Sequence, residues 1–118
     1  MHEFSIVEAV IGQVGEELAA AGQSGRVTRV ELSIGRLSGV NCDSVRFAFE
    51  VLAPGTSVEG AEIVIQQPKA VCRCGACQCR QEIDELVIEC PHCGSPEVTI
   101  EGGRDMILQS IEVEELSP

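Results

Sequence analysis

The sequence predicts an α+β protein: two helices, a small and roughly three-stranded mixed sheet, and a four-cysteine segment inserted before the last strand. Three observations predict it. Apolar residues near the start recur at steps of three and four. Three later stretches read as strands, the first and last of them alternating apolar and polar residues. Between the second and third of these the composition changes, and residues 70–103 hold six of the seven cysteines.

The elements follow in order. From about Glu3 to Ala21, the residues Val7, Val10, Ile11, Val14 and Leu18 place one apolar stripe along a helix. Gly12 and Gly15 each weaken such a helix by roughly 1 kcal/mol against Ala, and AAAGQSG supplies the turn residues that end it. In RVTRVELSIGRL, Val30, Leu32 and Ile34 alternate with Arg29, Glu31 and Ser33, which reads as a strand with one buried face. SGVNCDS is rich in capping residues and offers Asn41 or Asp43 as the N-cap of a second short helix. That helix carries Val45, Ala48, Phe49 and Leu52 on its apolar face and stops at Pro54-Gly55. AEIVIQQP is a second strand closed by Pro68, and MILQSIEVEE is a third, in which Ile111 and Val113 alternate with Glu112 and Glu114. The expected organisation is discontinuous: residues 1–69 with 104–118 returning to the same sheet, and residues 70–103 protruding as the insertion.

The insertion reads VCRCGACQCRQEIDELVIECPHCGS. It has few large apolar residues and needs a staple to fold. Cys74-x-x-Cys77 and Cys90-x-x-Cys93 stand twelve residues apart. Two residues between ligands let a tight turn aim both sulfurs at one ion, and two such turns close a tetrahedral cage. Zinc is the expected occupant, in a zinc-ribbon-like unit, with iron in a rubredoxin-like centre as the alternative that tetrahedral sulfur also suits. A closed four-sulfur site has no open position for Lewis-acid chemistry. Cys72 and Cys79 supply extra thiols, as free neighbours of the site or, for Cys72, as a substitute for Cys74 if the turn slips. His92, in the middle of the second turn, is expected to be exposed and not a ligand, and Cys42 stands alone before the second helix.

The odd cysteine count would leave one thiol over in any disulfide framework. No stretch approaches the ~20 apolar residues that span a bilayer, and no basic segment followed by an apolar block suggests a signal peptide. The expected location is the cytoplasm, where thiols stay reduced. The formal charge is −11 and Lys69 is the sole lysine. Such a balance disfavours nucleic acid and anionic membranes as partners. Arg73 and Arg80 are the only basic residues from Ala70 to Ile100, which argues against a zinc module that reads nucleic acid. No nucleophile with a base and no phosphate-binding glycine loop is present, so no enzymatic activity is expected.

The succession MHEFSIVEAV, VTRVELSIGRLSGV, RFAFEVLAPGT, EGAEIVI, the paired CxxC turns and SIEVEE resembles the HypA/HybF family of hydrogenase nickel-insertion accessory proteins over essentially the whole chain. The resemblance implies a small α/β nickel domain with an inserted zinc domain. It implies a metallochaperone that takes Ni(II) at Met1, His2 and Glu3 and holds structural zinc at Cys74, Cys77, Cys90 and Cys93. With a HypB-type GTPase it would deliver nickel to the large-subunit precursor of a NiFe hydrogenase, and some members also serve urease. Oligomeric state stays open, a homo-oligomer included.

The residue types fit that implication. The terminal amine, the His2 amide and the His2 imidazole can close adjacent chelate rings, and a deprotonated Glu3 amide would complete a square of nitrogens, which Ni(II) and Cu(II) prefer. The Glu3 carboxylate either supports that site or is a solvated acid favouring the helix dipole. Some relatives carry an acid near position 41. This chain has Asn41, a weaker ligand, with Asp43 two residues on.

Overall fold

The computed structural model describes residues 2–114. The candidate ligand Met1 and residues 115–118 lie outside the described residues. The order is α1 (Glu3–Ala20), β1 (Arg26–Ile34), α2 (Cys42–Leu52), β2 (Glu62–Gln66), β3 (Ala70–Cys74), β4 (Arg80–Ile83), β5 (Val98–Glu101) and β6 (Met106–Glu114). The chain divides into two units. The first comprises Met1–Leu32, Val40–Ile65 and Ile107–Pro118; the second comprises Ser33–Gly39 and Gln66–Met106.

In the first unit a three-stranded sheet has β1 in the middle, with β2 and β6 on its edges. Val30 and Leu32 of β1 are fully buried while Arg29 and Glu31 keep partial access to water, the alternation expected of a strand with one covered face. On the β6 side, Arg29 Nη1 meets Glu112 Oε1 at 3.2 Å. Along α1 the buried side chains are Ile6, Val7, Val10 and Val14, with Ile11 and Leu18 half-buried at the margin of the stripe. Helix α1 packs on α2, which buries Val45, Ala48 and Phe49. Asn41 caps α2, its Oδ1 accepting the Ser44 N–H at 3.0 Å. Asp43 is instead the first-turn acid and pairs with Arg46 at 3.1 Å.

The second unit is built on β3, flanked antiparallel by β4 and β5. Ala70 stands opposite Ile83, and Cys72 stands opposite both Gln81 and Ile100. Its apolar cluster has only Ala70, Cys72 and Ile83 buried, with Leu37, Val87, Val98 and Ile100 packed at the edge. Three backbone segments meet beside this cluster. Gly35 N–H donates to Asp105 O at 2.9 Å, Arg36 N–H to Pro68 O at 3.0 Å and Leu37 N–H to Gly103 O at 2.6 Å. Gly103 has φ +73°, and a Cβ there would stand 2.6 Å from the Ala70 Cβ. Only glycine permits both that conformation and that approach.

Candidate metal centre

Cys74 ends β3 and begins the first turn; Cys90 begins the second. The Cys74 and Cys93 sulfurs lie 3.6 Å apart, those of Cys77 and Cys90 3.8 Å apart, and all four fall within 4.8 Å of one another. Sulfurs arranged tetrahedrally at the zinc–thiolate distance of ~2.3 Å would be separated by about 3.8 Å. A disulfide would bring a pair to about 2 Å. The spacing therefore fits a metal cage, and all four residues are free thiols.

The two turns repeat one design. The Cys77 N–H points at Cys74 Sγ at 3.4 Å, and the His92 and Cys93 N–H groups point at Cys90 Sγ at 3.4 Å each. The residue after each second cysteine closes the turn: Gln78 N–H donates to Cys74 O at 3.1 Å and Gly94 N–H to Cys90 O at 2.8 Å. Both are left-handed, Gln78 at φ +64° and Gly94 at φ +79°. Gln78 is the only described residue other than glycine with a positive φ, and its side-chain amide ties back to Gly75 O at 2.8 Å.

These donors set the electrostatics. The Cys93 amide, against burial and aided by the His92 amide, brings the Cys90 thiol down to about 6. The Cys77 amide likewise lowers Cys74. For Cys77 the Cys79 amide favours the thiolate, but burial and the neighbouring sulfurs outweigh it and the thiol rises. Cys93 rises too, because burial and the Cys74 sulfur overcome the Ser95 amide. Each turn thus has one sulfur ready to ionise and one held back by crowding. Coordination to a divalent cation would remove that conflict, because each sulfur would be held as a thiolate by its bond to the metal.

The sequence offered six thiols in this segment. Cys72 is buried in the sheet cluster, and that burial, then the nearby Cys90 and Cys74, raises its thiol. Cys79 is half-buried and its carbonyl accepts the Cys74 N–H at 3.0 Å. Neither belongs to the four-sulfur group. His92 is exposed, and its backbone amide rather than its ring serves the site. Cys42 opens α2 and is half-buried.

At the other candidate position, His2 is exposed and precedes α1, its carbonyl accepting from Ser5 N–H at 3.0 Å. Its ring makes no capping hydrogen bond. The Glu3 carboxylate accepts the Asn41 N–H at 3.3 Å, so the start of α1 meets the start of α2. Its own amide, then that of Asn41, hold its pKa below the ordinary value of 4.5. The Asn41 side chain is used by the α2 cap, and only its backbone serves Glu3. Sequence pattern carried no signal for that contact, which joins residues 38 positions apart.

A family model described as hydrogenase/urease nickel incorporation, metallochaperone HypA, matches residues 1–113. The chain belongs to the HypA family. A hydrogenase maturation factor HypA from Chlorobium limicola is 42% identical over 115 residues, covering 98% of each chain. One from Aquifex aeolicus is 40% identical over 114 residues, covering 97% of this chain and 98% of its own. The solution structure of the Ni metallochaperone HypA from Helicobacter pylori superposes with a TM-score of 0.65 at 30% identity, covering 98% of this chain and 100% of its own. The HypA family supplies the context of the fold described above: an α+β chain with a four-cysteine metal site, in a family of nickel metallochaperones for hydrogenase and urease. No described helix is long and apolar enough to cross a membrane.

Proposed function

We propose that this chain carries Ni(II) at its first residues and, with a HypB-type GTPase, hands it to the large-subunit precursor of a NiFe hydrogenase in the cytoplasm. Nickel is the cargo, held by the Met1 amine, the His2 amide and ring, and the Glu3 amide, with the Glu3 carboxylate alongside. Residues 1–69 and 104–118 form the nickel-binding part, and residues 70–103 hold zinc at Cys74, Cys77, Cys90 and Cys93 for shape alone. The observation that carries this reading is the family match, which begins at residue 1 and so includes the Met-His-Glu start. The exposed His2 side chain, which makes no capping hydrogen bond, supports it.

The two donor sets separate the metals by geometry: nitrogens in a square suit nickel, whereas a tetrahedron of thiolates suits zinc. Binding at the terminus displaces protons, so nickel affinity falls as the pH drops. X-ray absorption at the nickel and zinc edges of one untagged sample tests both assignments at once. Nitrogen donors at nickel and four sulfurs at zinc are expected, and His2→Ala should abolish nickel binding while zinc stays. Nickel among sulfurs, or normal nickel uptake by His2→Ala, would overturn the reading.

A further inference from the structure

The chain has three aromatic residues, all phenylalanine. Phe49 is 3% exposed, but Phe4 and Phe47 are 40% and 59% exposed. These two rings are not scattered. Their centroids lie 6.2 Å apart with planes at 84°, an edge-to-face pair bridging α1 and α2. Val51, one helical turn beyond Phe47, is 51% exposed. Single exposed apolar residues are ordinary, but a contiguous aromatic patch marks a contact surface, and aromatic rings are the usual anchors of such surfaces. In a protein whose core is otherwise aliphatic, two of three rings left facing water is a distribution that folding alone does not require.

The rim fixes the chemistry of what covers it. Glu8 lies one turn from Phe4, and Asp43 and Glu50 lie one turn either side of Phe47. All three are exposed, and the local cation, Arg46, is engaged by Asp43 at 3.1 Å. Phe4 is also two residues from His2. We propose that Phe4, Phe47 and Val51 form the docking surface for the nickel-receiving subunit precursor, which presents an apolar pocket rimmed by Lys or Arg. This rests on the delivery role proposed above, and it places the receiving protein beside the cargo.

The test is calorimetric titration of the purified large-subunit precursor into the intact zinc-loaded chain, into Phe47→Ala and Phe47→Leu, and into Glu50→Lys. Phe47→Ala should weaken binding about tenfold or more. Phe47→Leu, which keeps aliphatic bulk for folding, should still weaken it. Glu50→Lys should weaken it and flatten the loss of affinity with added salt. Zinc content and nickel stoichiometry of the Phe47 variants should match the parent. Equal affinity for both Phe47 variants and the parent, or absence of precursor binding by the parent, would overturn the proposal. If nickel proves to sit elsewhere while Phe47→Ala still loses the precursor, the terminal nickel site fails and the docking surface stands.

Discussion

In the first unit, Val7, Val14, Val27, Val30, Val45 and Val58 are almost wholly shut off from water; in the second, the apolar cluster has just Ala70, Cys72 and Ile83 buried. Burying a Val or Leu side chain contributes ~1.5–3 kcal/mol, so the first unit gathers its stability from many modest increments of one kind. The second has too few such residues. What it has is four sulfurs at the spacing of a metal cage, with amides already aimed at two of them. Structural zinc in small peptides binds with ~10–16 kcal/mol, more than the buried cluster of this unit can supply. One chain thus uses two routes to a defined shape, collapse of aliphatic side chains and coordination of a cation, and each can be attacked separately.

The largest effect should follow from breaking the cage. Cys74→Ser is expected to lose the metal, and the amides of β3, β4 and β5 should then exchange rapidly while those of α1 and β1 stay protected. Hydrogen exchange read by NMR or mass spectrometry distinguishes the units. If the variant retained a full complement of zinc, one of the spare thiols, Cys72 or Cys79, would be serving as a ligand.

Next in size is the reverse experiment. Phe49→Ala should cost the first unit ~3–5 kcal/mol, the range for removing a buried ring, with zinc content unaltered. Chemical unfolding followed by helical circular dichroism measures it. Phe47→Ala, two residues earlier on the same helix, removes a ring that is 59% exposed and should change stability far less. Equal losses for the two would contradict their burial.

The same contrast explains how much could be read from the chain. The elements of the first unit are legible because aliphatic collapse leaves a period: Val7, Val10 and Val14 step by three and four, and Val30, Leu32 and Ile34 by two. Asn41 and Asp43 both suit a helix start, and only the Ser44 contact decides between them. In the second unit, β3, β4 and β5 have five, four and four residues. At that length a period hardly registers, and in β3 two of the three alternate buried positions are cysteines, which announce a metal before they announce a strand. Ligand spacing was legible; the sheet that carries it was not. Ser33–Gly39 reads as the end of a strand and a turn, yet it belongs to the second unit. Its ties there are backbone hydrogen bonds to Pro68, Gly103 and Asp105, the packing of Leu37 on the cluster, and the Arg36 side chain on Gln67 O and Asp84; single contacts of this kind leave no period in the sequence. The first cysteine turn is similarly veiled, because Gln78 occupies the left-handed position that Gly94 fills openly in the second.

A smaller effect, specific to the second unit, is expected at Gly103. A methyl group there would have to coexist with φ +73° and with the Ala70 backbone nitrogen at 2.8 Å. Gly103→Ala should therefore destabilise this unit by about 1–3 kcal/mol, the usual cost of overpacking. It would be seen as faster transfer of zinc to a chelator with no change in the melting of α1 and α2. Unchanged zinc release would mean that the close approach of the three segments contributes nothing to holding the cage.

Acid should separate the units most gently through Glu3. Its carboxylate is held below the ordinary value of 4.5 by its own amide, then by the Asn41 amide, with the His2 charge adding to both. A carboxylate whose folded pKa is lowered contributes stability that is complete above the ordinary value and disappears as the pH falls through the folded one. The contact is partly open to water, so its loss should loosen the junction of α1 and α2 without unfolding them. In the second unit the same protons compete with the metal for the thiolates, and there the outcome is loss of the staple itself. Acidification followed by NMR should show the Asn41 amide resonance titrating with a midpoint below 4.5, while the first unit keeps its remaining dispersion and the β3–β5 amides broaden or vanish as zinc leaves. Glu3→Gln should abolish the Asn41 titration and leave the loss of zinc where it was. A midpoint above the ordinary carboxylate value, or an Asn41 resonance indifferent to the substitution, would remove the Glu3–Asn41 tie from the account of how the first unit begins.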